Sequence, residues 1–445
     1  MSQTLGRERS PLALRSRPWF FARWDGVTVL TVYLVLLLGV PSVMVLAPLG
    51  SAGSPSTVVA VGLFLLWAWF QLHRSWRRPG ADPHVRRATL LWLLVMVAVY
   101  AHAMAGPLSP DEVSPADFGM LKLIGFCGVL LVTTDGIHDR ARLRVFTSRL
   151  VVAIGLVAVL GLVQFLTREM LIDRLHIPGL ASIPPTELTM RNGLPRPNGT
   201  STHPIEYGVV LSIGLPLAVV HALWAPNRRW VYRGLLAVIA LDVFLSSSRS
   251  ALVCTVLSLL VLAASWPAAL RLKAIVVAAF ASVAVYVAVP GSLGATTRLF
   301  TGAGNDSSIA SRTGSYDLAG AFFSHSPWLG RGFGTFLPKY WIFDNAYLGL
   351  LVEGGLLGLV GLVALTLVAC RAALTAARAL PGELDRQLAY AVLASIVSGA
   401  AGLAFFDSFG FPQSAGCFFL VLGLAGALRR LAATSPAAEL RGGGA

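Results

Sequence analysis

The sequence predicts an all-α, polytopic integral membrane protein with about twelve transmembrane helices. Three observations predict it. Of the 445 residues, 56% are hydrophobic and only 13% are charged. Apolar runs of about 17 to 25 residues, the length that crosses a hydrocarbon core, recur along the chain. None of the runs shows the apolar–polar alternation of a membrane barrel, so helices must satisfy the backbone groups at membrane depth.

Taken in order, the expected spans are 27–48, 56–73, 88–106, 118–134, 149–167, 205–224, 230–246, 250–267, 272–290, 344–371, 387–406 and 414–432. Alternate connections are basic: "HRSWRRPGADPHVRR", "DGIHDRARLRVFTSR", "APNRRWVYRG", "RLK" and "CRAALTAARALPGELDR". Positive charge in short connections marks the cytoplasmic side. Twelve spans place both termini and every basic connection there; an odd number would spoil that regularity. The chain then divides into a basic cytoplasmic tail (1–26), a single transmembrane domain (27–432) and a second tail (433–445). The first apolar run follows the basic N-terminus without an A-x-A cleavage site, so that segment reads as a retained tail. No internal repeat stands out.

Two long segments, about 168–204 and 291–343, fall on the outside. Both carry arginines against the positive-inside trend: Arg168, Arg174, Arg191 and Arg196 in the first, and Arg298, Arg312 and Arg331, with Lys339, in the second. Unstructured loops of such length are usually functional or disordered, and the aromatics and glycine turns here favour order. The second loop predicts a short helix, with Asp306 or Ser307 as its cap and Pro327 as its stop. Ile309, Arg312, Tyr316, Ala319 and Phe323 form one stripe along it.

The net charge of +14 does not mark a nucleic-acid binder, because the cations sit in connections between apolar runs, not in a patch. The cysteines Cys127, Cys254, Cys370 and Cys417 each fall within an apolar run and read as packing residues. Phosphate-binding glycine loops, H-E-x-x-H and a nucleophile elbow are absent from the sequence.

Three polar constellations remain. "FLSSSRSALV" joins two spans by a hairpin with Arg249 at its apex and Asp242 about two turns earlier. A charge at mid-membrane costs at least roughly 2.5–3.5 kcal/mol, so it should face protein or water. Either Asp242 and Arg249 pair to close the hairpin, or Arg249 and the serines, Ser248 among them, form an anion site. "RPNGTSTHPIEYG" groups Arg196, His203 and Glu206 where a span begins, with Pro204 suited to the first helical turn. "FDNAYLGLLVEGGLLG" opens with Asp344 and Asn345, and Glu353 follows about 13 Å deeper at 1.5 Å per residue. Asp344 reads as a helix N-cap or as a functional carboxylate. Glu353 precedes glycines that admit close helix approach, and it either bonds a neighbouring element or floors a cavity. Asp117 is expected to cap the fourth span, Lys122 to snorkel to the rim or join the outer cations, and Asp407 to join the outer cluster or a solvated turn.

In this order, "RPNGTSTHPIEYG", "SSSRSALV", "SRTGSYDLAGAFFSHSPWLGRGFGTF" and "DNAYLGLLVEGGLLG" resemble motifs of the O-antigen ligase and polymerase superfamily, over roughly residues 190–360. The resemblance implies a GT-C-like glycosyltransferase in a bacterial cytoplasmic membrane, with its site on the extracytoplasmic side. Its donor would be a polyprenyl-diphosphate-linked glycan and its acceptor a glycan or glycolipid; membrane lipids are the other partners, and no cofactor or metal is implied. Asp344, Asn345 and His203 are then the catalytic candidates, and Arg196, Arg249, Arg312, Ser248, Glu353 and Tyr316 the substrate-binding ones. Family ligases usually carry histidine where this chain has Asp344. A carboxylate can also take a hydroxyl proton, and His203 and His325 are the alternative bases. Asp344, Glu206 and Asp407 together would suit a divalent ion. A polysaccharide or lipid transporter is the competing reading, since it too needs charges between helices; it would place them at the midplane of two related halves. A non-catalytic scaffold is the third.

Overall fold

A computed structural model describes residues 25–48, 53–73, 84–182, 188–191, 193–288 and 307–434, with backbone alone at 282, 284–286, 288 and 307–314. Within them lie thirteen α-helices. They are α1 (Gly26–Gly39), α2 (Pro55–Leu72), α3 (His84–Ala105), α4 (Pro110–Gly136), α5 (Arg140–Thr167), α6 (Pro204–Trp224), α7 (Arg229–Leu245), α8 (Arg249–Ala264), α9 (Ala268–Ala288), α10 (Ser307–His325), α11 (Ala346–Ala379), α12 (Glu383–Leu403) and α13 (Pro412–Ala433). Each expected apolar run coincides with a helix, and α10 is the helix expected in the second long loop. Eight of the helices are long and apolar enough to cross a membrane, and α1 and α8 are shorter apolar helices. The protein is a polytopic, helical membrane protein.

Helices α13 and α6 form the centre of the bundle and are buried on nearly every face. Phe419 of α13 stacks on Phe126 of α4 and Trp92 of α3, with ring centroids 5.3 and 5.7 Å apart. The Trp92 indole N–H donates to the Gly358 carbonyl at 3.0 Å, tying α3 to α11. At one end of the bundle Arg144 grips the buried Asp385 through two bonds of 2.6 and 2.7 Å. Both long connections meet the other end.

There the first connection is stiffened by two short antiparallel ladders. Met44–Val45 (β1) pairs with Ala181–Ser182 (β2), and Met190–Arg191 (β3) with Leu194–Pro195 (β4). Asp306, a capping candidate, lies outside the described residues. The stripe expected on α10 is rotated. Ser315 and Ala319 are buried with Leu318 and Phe322 beside them, while Tyr316 is 58% exposed. The packing surface offered by Phe336, Phe343 and Val352 selects that face.

Three local expectations are corrected. The cap of α4 is Ser109, whose amide donates to Glu112 at 3.1 Å. Asp117 instead lies inside the helix and accepts the Tyr100 hydroxyl proton at 2.6 Å. The span expected at 344–371 is not one helix, because Gly355 (φ 63°, ψ −169°) interrupts it. Asp242 is fully buried, and its Oδ2 accepts from the Tyr207 hydroxyl at 2.5 Å. That helix-to-helix bond, in place of one within the hairpin, answers a carboxylate at that depth.

Candidate functional site

The first half of the site is built on the 188–203 connection. The β3–β4 hairpin carries Arg191 and leads into Arg196. Arg196 is 8% exposed. Its Nε donates to the Ser246 carbonyl at 3.0 Å, which brings the second constellation onto the first. Its buried Nη2 has no hydrogen-bond partner. Burial, then the neighbouring charge of Arg191, lowers the Arg196 guanidinium to about 10, so it stays charged at neutral pH. A desolvated guanidinium with an unspent donor is suited to an anion.

Beyond Ser246 the backbone turns sharply at Ser247 (φ 48°) and re-enters as α8. Ser248 caps that helix, accepting the Ala251 amide at 3.4 Å and sharing a 2.9 Å bond with Ser250. Ser248 therefore shapes the hairpin with its hydroxyl. Arg249 follows as the first residue of α8, half-buried beside it. Arg312 lies in α10, with its side chain outside the described atoms.

His203 is the N-cap of α6, and its Nδ1 accepts the Ile205 amide proton at 3.2 Å. The neutral ring then carries its proton on Nε2. Burial, reinforced by Arg196, pushes the imidazole down to about 4. With its Nδ1 lone pair turned to the backbone, the neutral ring presents Nε2–H. Glu206, one turn on, accepts the Thr202 amide at 2.9 Å and the Gln413 and Ser414 amides at 2.8 and 3.4 Å. It fastens the start of α13 to the loop, a favoured place for a carboxylate.

That fastening brings the second half alongside the first. Phe411, just before α13, lies 6.4 Å from the His203 ring. Asp407 stands at the head of the 3₁₀ turn Ser408–Gly410. Asp407 is exposed. Even so, the surrounding protein desolvates its carboxyl and raises it; the Asp344 charge raises it further, against the Gly410 and Phe409 amides and the Lys122 charge. The Lys122 charge on α4 and the Asp344 charge before α11 thus both act on Asp407, and the Asp407 and Arg331 charges act on Glu353.

Asn345, not Asp344, caps α11, accepting the Tyr347 and Leu348 amides at 3.0 and 3.2 Å. The bland role open to Asp344 is thus filled by its neighbour. His325, an alternative base, lines a cleft of about 490 Å³ with His102, Phe322 and Arg331. Its Nδ1 lies 2.8 Å from the Ala321 carbonyl. Among the described residues, no three His, Cys, Asp or Glu side chains are grouped to hold a metal ion, so Asp344, Glu206 and Asp407 do not gather as expected.

Residues 234–363, from α7 through the first half of α11, match the family model described as O-antigen ligase. Over that segment the chain is similar to O-antigen ligases. The matched segment is under a third of the chain and contains the Arg249 hairpin, α10 and the Asp344–Glu353 stretch. The "RPNGTSTHPIEYG" stretch lies before it, and the structure joins it to the matched segment through the Arg196–Ser246 bond. No curated protein matches the chain. Sequence reasoning did not select Arg191 as a site residue. The signal was its place five residues before Arg196, a spacing that a tight hairpin closes.

Proposed function

We propose that the protein transfers a glycan from a polyprenyl-diphosphate-linked donor to a saccharide or glycolipid acceptor at the outer face of a bacterial cytoplasmic membrane. The observation that carries this reading is the buried Arg196 guanidinium, whose Nη2 lacks a partner, held against the hairpin that presents Arg249.

The chemistry follows from that placement. The leaving group is a lipid diphosphate, and preorganised cations aimed at its developing charge lower the barrier to its departure. Arg196, Arg249 and Arg312 supply them. His203 adds a neutral N–H donor, since its free nitrogen carries the proton. The acceptor hydroxyl enters beside Asp344, whose charge acts on Asp407. Asp344 takes its proton as the oxygen bonds to the anomeric carbon and the bond from that carbon to the diphosphate breaks. Guanidinium groups serve here as the cations, so the reading needs no metal ion.

The test is a transfer assay in proteoliposomes with a polyprenyl-diphosphate glycan and an acceptor glycan. The expected result is release of polyprenyl diphosphate matched by growth of the acceptor. Uptake of glycan into the vesicles without any new glycosidic bond would instead mark a transporter.

A further inference from the structure

The break in α11 is filled by another part of the chain. A helix that stops and restarts leaves unpaired carbonyls on one side and unpaired amides on the other. Residues 327–336 satisfy both. Arg331 N–H donates to the Val352 carbonyl at 3.0 Å, and Gly332 N–H to the Glu353 carbonyl at 2.8 Å. In return Leu356 and Leu357 donate to the carbonyls of Pro327 and Trp328 at 2.8 and 3.2 Å. The two backbones touch. A Cβ on Gly355 would lie 2.4 Å from Trp328 backbone atoms, and one on Gly330 2.5 Å from those of Glu353.

The Glu353 side chain turns back into the same loop. Its Oε1 accepts the Phe336 amide at 3.0 Å. Glycines 330, 332 and 334 all have positive φ, at 65°, 118° and 82°. Such a turn offers its amides to an acceptor, and here the Phe336 amide meets the Glu353 carboxyl. From the loop Arg331 reaches out to Glu112 on α4 and lies over the Tyr340 ring, 5.1 Å from its centroid.

We propose that Glu353 and Gly355 splice the short helix Ala346–Gly354 to the 327–336 loop as one body. Glu353 is thus a positioning residue that acts through loop amides and does not touch substrate. The functional part rests on the reading of Asp344 as the base. A helix this short is marginal alone, and Asp344 and Asn345 stand at its start. The splice sets where the Asp344 carboxylate points.

The experiment combines backbone amide exchange over 327–336 with donor turnover, in purified full-length protein in lipid nanodiscs. Glu353→Gln keeps an oxygen that accepts an amide proton; wild-type exchange and near wild-type turnover are expected. Glu353→Ala and Gly355→Ala should speed exchange across the loop. In both, turnover should fall on the order of 10–100-fold, with KM for the donor little changed, as for a misplaced reacting group. Unchanged exchange in the two alanine variants overturns the splice. So does a Glu353→Gln variant that loses turnover while exchange stays normal, because the charge would then act on substrate directly. Should Glu353→Ala fail to fold, Gly355→Ala and Glu353→Gln decide by the same readings. Should the wild type transfer no glycan, the functional proposal fails, and exchange still decides the splice.

Discussion

The Asn345 side chain accepts the Tyr347 amide proton at 3.0 Å and so closes the first turn of α11. Asp344, one residue earlier, is left outside the cap and inside the electrostatic range of Asp407. Capping thus falls to Asn345, and Asp344 is left for the base that the proposed function assigns to it.

Asp344→Asn should therefore lower transfer on the order of 10²–10⁴-fold, the usual loss for a general base, while thermal stability stays near wild type. Asn345→Ala should instead cost about 0.5–2 kcal/mol of stability, and Asn345→Asp very little, since both Asn and Asp cap well. Steady-state kinetics and thermal unfolding on the same preparations separate the two. A fully active Asp344→Asn removes this residue as the base, and His325 is then next to be tested.

Arg196→Ala, Arg249→Ala and Arg312→Ala should each abolish transfer without loss of membrane expression. Lysine should rescue poorly, because an ammonium cannot form the bidentate fork that suits a diphosphate. Transfer should survive a metal chelator, since the neutralising charges are guanidinium groups. Retained activity in any one alanine variant takes that arginine out of the donor site.

Orientation is tested by labelling. Three of the four native cysteines are buried, so a single added cysteine reports its own side once that background is removed. Ser324→Cys, in the exposed part of α10, should react with an impermeant reagent on intact cells. Arg378→Cys, near the end of α11, should not. The reverse labelling would sink the twelve-span topology.

His203 makes stability pH-dependent in a definite direction. Its imidazole sits at about 4 in the folded protein, against about 6.5 for the free side chain. Between those values the unfolded chain binds a proton that the folded chain does not, so stability rises with pH. The contribution is fully present above about 6.5 and is lost as pH falls toward 4. His203→Asn, which still caps but does not titrate, should show a shallower fall in unfolding midpoint from pH 7 to pH 4. Above pH 7 the two proteins should run parallel. Equal slopes on the acid side would show that His203 titrates normally.

By itself the sequence determined the helical membrane architecture, the places of the two long connections and the segments that carry the candidate site. These follow from run length, charge placement and local punctuation, which a linear reading can see. The tertiary structure decided which side chain does what. Arg196 meets Ser246 across 50 residues, and Tyr207 meets Asp242 across 35, so neither partner was visible from spacing. The glycines after Glu353 read as a surface for helix approach, but one of them breaks the helix because a loop from earlier in the chain inserts there. Asn345 and Asp344 are equally good caps on paper. Which of them caps depends on backbone angles that packing alone sets, because a cap forms only where the side chain can fold back onto the first free amides.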